Sequence, residues 1–187
     1  PEAILLVTPT DHLMEDTKSF HEAVESGLSS VNAGKIVTFG ISPTREETGY
    51  GYLKLNRVAG RKSFEVTEFI EKPDKILAKK IVNSGDYLWN AGIFLFKAKD
   101  IIKAFQKFSK SLTDPVKASV EMGTYDLDFF KLSGDYWSKC QNISIDFAIL
   151  EKIDNLETVP LDGKWSDLGD WNAVFNELEF DRNLVAL

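Results

Sequence analysis

Apolar residues in this chain fall in short blocks whose spacing alternates between two and three-to-four, and that alternation predicts an α/β fold. The run Ala3-Ile4-Leu5-Leu6-Val7 is unbroken and stops at Thr8-Pro9-Thr10-Asp11, the pattern expected of a strand covered on both faces. Between positions 15 and 33, Phe20, Ala23, Val24, Leu28 and Val31 recur at helical spacing. They predict an amphipathic helix that stops at Gly34 in the left-handed conformation. Residues 35–40 form a second β-rich run. Strand, helix and strand in that order imply a right-handed crossover and a parallel pair, with ligands beyond the strands' carboxyl ends, where Asp11 lies.

The same reading places strands at 51–55 and 64–70 around a polar turn at 57–63, and a helix at 75–83. Residues 89–96 are strongly apolar but broken by Asn90 and Gly92, and helices follow at 99–108 and within 109–123. Ser144 is a candidate N-cap for a short helix reaching Lys152, residues 156–160 read as a strand, and Asp162-Gly163 as a turn. There is no internal repeat and no low-complexity linker.

Composition narrows the function classes. With 187 residues, 43% of them hydrophobic, the chain has material for one well-filled core. Its net charge of −7 and the absence of clustered Lys or Arg argue against a nucleic-acid surface. An anionic substrate would need a few placed cations and a metal. A single cysteine, Cys140, excludes an internal disulfide framework and a multi-Cys zinc site and fits a reducing compartment. No apolar run approaches the ~18 residues of a membrane span and Pro1 opens no signal peptide, so a soluble, cytoplasmic protein with no membrane partner is expected.

Several residues carry candidate chemistry, each with a plain structural alternative. Asp11 beyond a strand end suits a hard cation such as Mg²⁺, or serves as a turn cap. His12 beside it is a ligand or base, or orients the loop. Asp167 in Trp165-Ser166-Asp167-Leu168-Gly169 is a second carboxylate for the same cation, or an N-cap of the helix entering Trp171. Glu71-Lys72-Pro73 sets an acceptor for sugar hydroxyls beside a cation for a phosphate, or is a surface ion pair. In Thr48-Gly49-Tyr50-Gly51-Tyr52 the glycines admit a close ligand and the tyrosines pack on a sugar ring, or the segment is a tight turn. Asn90, an amide within an apolar run, needs partners that either a ligand or the fold supplies.

Taken in order, Thr8-Pro9-Thr10-Asp11-His12, Pro43-Thr44-Arg45-Glu46-Glu47-Thr48-Gly49-Tyr50-Gly51-Tyr52, Phe69-Ile70-Glu71-Lys72-Pro73-Asp74, Trp89-Asn90-Ala91-Gly92-Ile93-Phe94, Ser144-Ile145-Asp146-Phe147-Ala148 and Trp165-Ser166-Asp167-Leu168-Gly169 resemble the mannose-1-phosphate guanylyltransferase family over nearly the whole chain. The resemblance implies a Rossmann-like nucleotidyltransferase fold of the glycosyltransferase-A kind, a mixed sheet flanked by helices. It implies synthesis of GDP-mannose and pyrophosphate from GTP and mannose 1-phosphate with Mg²⁺, and a possible homodimer. Carried over by position, Asp11, Lys72 and Asp167 become catalytic, with Asp11 and Asp167 holding the metal and Lys72 contacting the sugar phosphate. Tyr50, Gly51, Glu71, Asn90 and Asp146 become substrate-binding.

The family's Gly-rich nucleotide loop is not in this sequence, which starts at about the fourth strand of the family's sheet. The resemblance therefore implies a partial nucleotidyltransferase domain over 1–180, inactive alone, with 181–187 opening a C-terminal extension and Leu184-Val185-Ala186-Leu187 beginning a strand. The optional C-terminal isomerase domain is likewise not in it. A different sugar-1-phosphate nucleotidyltransferase and a non-catalytic sugar-phosphate-binding relative are the other readings.

Overall fold

The computed structural model describes residues 2–177. The chain starts with β1 (Ile4–Val7) and the two-residue β2 (Leu13–Met14), and helix α1 (Thr17–Asn32) leads into β3 (Ile36–Ile41). Strands β4 (Gly51–Asn56) and β5 (Phe64–Glu71), helix α2 (Lys75–Ser84), the long β6 (Tyr87–Lys97) and helices α3 (Ala98–Phe108) and α4 (Lys110–Glu121) follow. A small hairpin, β7 (Thr124–Asp126) and β8 (Phe129–Lys131), a short α5 (Gly134–Trp137) and a π-helical turn at Asp146–Leu150 lead to β9 (Leu156–Pro160), β10 (Trp165–Ser166) and α6 (Trp171–Glu177).

Six strands form a mixed sheet ordered β1-β6-β3-β9-β5-β4, in which β3 and β9 run parallel and the other neighbours antiparallel. Strand β4 also pairs with the first part of β6 through Tyr52↔Trp89, so β6, β3, β9, β5 and β4 close a hydrogen-bonded circuit. Side chains alternate between two cores. Val37, Phe39, Ile93 and Leu95 point to one, under α1, while Ile36, Phe94 and Phe96 point to the other, under α3 and the π-helical turn. The helical spacing in α1 is confirmed, since Ala23 and Val31 are buried in the first core with Phe20, Val24 and Leu28 against it.

One expectation about β1 is corrected. It does not pair with β3: both run antiparallel to β6, which lies between them, so they share a direction without sharing a ladder. Among the described residues β1 pairs on one side only, with β6, and Ile4, Leu5, Leu6 and Val7 are 39, 41, 42 and 44% exposed. The apolar stretch at 89–96 is one continuous strand, and its Asn90 and Gly92 mark a bulge instead of a break.

Helix ends follow local chemistry. Asp16, Asp74 and Asp170 accept from Ser19, Leu77 and Ala173 N–H at 3.0, 2.8 and 2.7 Å, caps worth about 1 kcal/mol each. Gly34 stands just past α1 at φ 82°, as expected. No helix among the described residues is long and apolar enough to cross a membrane. The expected boundary near residue 180 and the run Leu184-Val185-Ala186-Leu187 lie outside the described residues.

Candidate functional site

The segment ahead of β4 is stiffened by its own backbone bonds. Glu47 Oε1 accepts from Thr48 and Gly49 N–H at 3.0 and 3.1 Å, and the buried Tyr52 hydroxyl donates to the Glu47 carbonyl at 2.7 Å. This fixes Tyr50 and Gly51 where β4 begins. Across the β4–β5 ladder Gly51 stands opposite Glu71, and a Cβ at Gly51 would come within 2.7 Å of Glu71 Oε2. The glycine keeps the space that the carboxylate occupies.

Glu71 has a buried side chain, 7% exposed, whereas Lys72 beside it is 62% exposed and pairs with it at 3.6 Å. Lys72 sits at φ 47°, in the left-handed region unusual for a non-glycine residue, with its N–H donating to the Tyr50 carbonyl at 3.2 Å.

The bulge in β6 supplies the next wall. Between the pairs Thr38↔Phe94 and Gly40↔Asn90, β6 carries two more residues than β3, and Gly92 takes φ 69° within that excess. Asn90 Oδ1 accepts from Thr38 Oγ1 at 2.7 Å and from Gly92 N–H at 3.2 Å, so its amide donates to Asp146 Oδ1 at 3.3 Å. Asp146 opens the π-helical turn, whose Ala148 N–H bonds back to the Ser144 carbonyl at 2.9 Å. Such turns recur at functional sites, where they shift a side chain out of helical register.

Strands β2 and β10 complete the site. They pair as Trp165↔Met14 and Ser166↔Leu13, and continuing that register by one step sets Asp167 level with His12, next to Asp11. Asp167 Oδ1 accepts from Tyr50 hydroxyl at 2.7 Å and from Gly169 N–H at 3.2 Å. Asp167 is therefore not the helix cap, a role that Asp170 fills.

A cleft of about 340 Å³ gathers Tyr50, Gly51, Glu71, Lys72, Asn90, Asp146 and Asp167 in its wall, seven of the eight residues that the resemblance assigned to the site. Asp11 does not line it. It lies exposed beside His12, which does, and whose buried Nδ1 has no partner among the described residues. Thr38 and Gly92 are missed by sequence reasoning. The signal for Thr38 was a lone hydroxyl inside the apolar run Ile36–Ile41.

Burial pushes the Glu71 carboxyl above its ordinary value of 4.5, with the nearby Asp146 charge adding to the rise and Lys72 opposing it. Burial likewise raises Asp146 from 3.8. The folded protein thus holds protons that the unfolded chain has released, so stability is highest below the ordinary values and falls as pH rises through the raised ones. Glu71→Gln is expected to flatten this fall and to raise the melting temperature relative to wild type at pH 7 more than at pH 4. Thermal denaturation across that range checks it, and a wild-type slope in the variant would contradict the assignment.

Two aspartates near the cleft carry oxygens of the kind hard cations take. Asp11 and Asp167 offer carboxylate oxygens, and Asp167 Oδ2 accepts no hydrogen bond among the described residues. No group of three or more His, Cys, Asp or Glu gathers among those residues to form a closed protein cage.

A buried glutamate, a part-buried aspartate and an amide share this cleft with a lysine at its rim, and comparison gives the chain a family. The family model described as nucleotidyl transferase matches residues 1–183. The chain belongs to the nucleotidyl transferase family. A xanthan biosynthesis protein of Xanthomonas campestris pv. campestris is 39% identical over 180 residues, covering 96% of this chain and 38% of the relative. A mannose-1-phosphate guanylyltransferase of Sinorhizobium fredii is 39% identical over 178 residues, covering 95% of this chain and 35% of the relative. This nucleotidyl transferase chain thus spans little more than a third of the curated relatives it matches. Its fold superposes with a TM-score of 0.80 on a Thermus thermophilus structure described as a mannose-1-phosphate geranyltransferase, at 29% identity over 92% of this chain and 49% of that one. The expected mixed nucleotidyltransferase sheet with flanking helices is the fold observed.

Proposed function

We propose that the protein to which this chain belongs is a mannose-1-phosphate guanylyltransferase of the cytoplasm, and that the chain supplies its sugar-phosphate cleft. One observation carries the reading: a buried carboxylate, Glu71, and an exposed cation, Lys72, are consecutive residues turned to one cleft that Asn90 and Asp146 close from the other side. Buried acceptors suit hydroxyls of a hexose, which donate to them, while the lysine at the rim suits its phosphate. Relatives named mannose-1-phosphate guanylyltransferase support the choice of sugar and nucleotide.

In the proposed reaction a phosphate oxygen of mannose 1-phosphate attacks the α-phosphorus of GTP. A new P–O bond forms, the bond from that phosphorus to the bridging oxygen breaks, and pyrophosphate leaves with the electron pair. Catalysis of this kind is mostly alignment and charge neutralisation. Glu71, Asn90 and Asp146 orient the hexose, Gly51 leaves it room, and Lys72 holds the attacking phosphate. Asp11 and Asp167 would hold Mg²⁺, which when bound neutralises charge on the nucleotide phosphates.

The test is an assay of the full-length protein with GTP and either mannose 1-phosphate or glucose 1-phosphate, with the nucleotide sugar separated by chromatography. Preference for glucose 1-phosphate would overturn the proposal. Within it, Lys72→Ala is expected to raise KM for mannose 1-phosphate about 10- to 100-fold, the worth of one charge-assisted hydrogen bond, with KM for GTP within about twofold. Equal effects on both substrates would remove Lys72 from its role.

A further inference from the structure

Tyr50 touches both sides of the cleft. Its carbonyl accepts the Lys72 N–H at 3.2 Å, which secures Lys72 in a backbone conformation that costs energy unless neighbours hold it. Its hydroxyl donates to Asp167 Oδ1 at 2.7 Å, across 117 residues of sequence. The ring packs edge-to-face on Trp89 and Trp165, with centroids 5.3 and 5.5 Å away, so the hydroxyl is aimed by its surroundings.

We infer that Tyr50 is a positioning residue that pins one oxygen of Asp167 for a divalent cation and ties that carboxylate to Lys72 through its own backbone. The inference rests on the reading of Asp167 as a cation ligand and goes beyond it, since Tyr50 by sequence is a sugar contact. Two observations favour the indirect role. The hydroxyl's single proton is committed to Asp167, which leaves the oxygen only acceptor capacity toward a ligand. Tyr50 and the Gly169 N–H, at 3.2 Å, both engage Oδ1, and Oδ2 accepts no hydrogen bond among the described residues. A carboxylate with one oxygen fixed and the other open is suited to ligate through the open oxygen, and groups that orient a metal ligand in this way typically govern about 10- to 100-fold in affinity or activity.

Tyr50→Phe keeps the ring and removes only the hydroxyl. In the full-length protein, Mn²⁺ binding followed by electron paramagnetic resonance in the presence of GTP is expected to weaken about tenfold. Turnover should fall by a similar factor while KM for mannose 1-phosphate stays within about twofold. In an Asp167→Asn background the same substitution should change Mn²⁺ binding no further. Unchanged Mn²⁺ affinity, or a raised sugar-phosphate KM with Mn²⁺ affinity intact, overturns the inference in favour of a sugar contact or a purely structural bond. Should Tyr50→Phe fail to fold, Asp167→Glu, which displaces the carboxylate from the hydroxyl, is expected to show the same loss, and wild-type affinity there overturns it. A wild type that binds no Mn²⁺ also overturns it. Tyr50-dependent Mn²⁺ binding without GDP-mannose formation sinks the functional reading alone.

Discussion

Asp11→Ala and Asp167→Ala are each expected to remove at least about a hundredfold of turnover, because even groups that only orient a metal ligand cost about 10- to 100-fold. The two variants differ in what they do to the fold. Asp11 is exposed and its side chain makes no hydrogen bond among the described residues, so its loss should leave stability within about 0.5 kcal/mol of wild type. Asp167→Ala strands the half-buried Tyr50 hydroxyl, which donates to it at 2.7 Å, and should cost about 1–3 kcal/mol. Steady-state kinetics at saturating Mg²⁺ and thermal denaturation of the same samples separate the effects. Turnover within tenfold of wild type in either variant would end the assignment of that carboxylate to the cation.

Gly51→Ala is expected to damage the site more than the fold. The added methyl meets Glu71 Oε2 at 2.7 Å and Phe69 Cζ at 3.1 Å. The carboxylate is the far end of a flexible side chain and can swing away, so the sheet survives the change. The pocket does not, since the displaced group is the proposed hydroxyl acceptor and misplacement by about 1 Å is worth on the order of a hundredfold. KM for mannose 1-phosphate should therefore rise on that scale with little change in melting temperature. A protein that unfolds instead would mean that Gly51 serves packing, and an unchanged KM would remove Glu71 from the sugar pocket.

Sequence made the site more legible than the sheet. The alternating and helical periods locate β3, β4, β5, β9 and α1 because those segments bury one face or two against a continuous core. Strand order is a property of distant pairings, and no local pattern announces that β6 inserts between β1 and β3. Strands β2 and β10, two residues each, are too short to have a period at all. Among the aspartates, chemistry alone could not separate caps from ligands. The structure assigns capping to Asp16, Asp74 and Asp170 and leaves Asp167 to Tyr50, a distinction set by geometry across the fold. Asn90 was readable because an amide within an apolar run has to be explained, whereas Asp146 came only with the family resemblance.

The position of β9 shapes how the molecule is born. It leaves the ribosome long after β3 and β5, yet it belongs between them in the sheet. For on the order of ten seconds at ordinary translation rates, the growing polypeptide carries β3 and β5 with an open slot between them, each edge able to recruit a wrong partner. Only when residues 156–160 emerge does the slot fill, and the Tyr50–Asp167 bond has to wait for still later residues. Synonymous codons that slow synthesis between β6 and β9 would lengthen the exposure and lower the yield of folded protein without changing one amino acid.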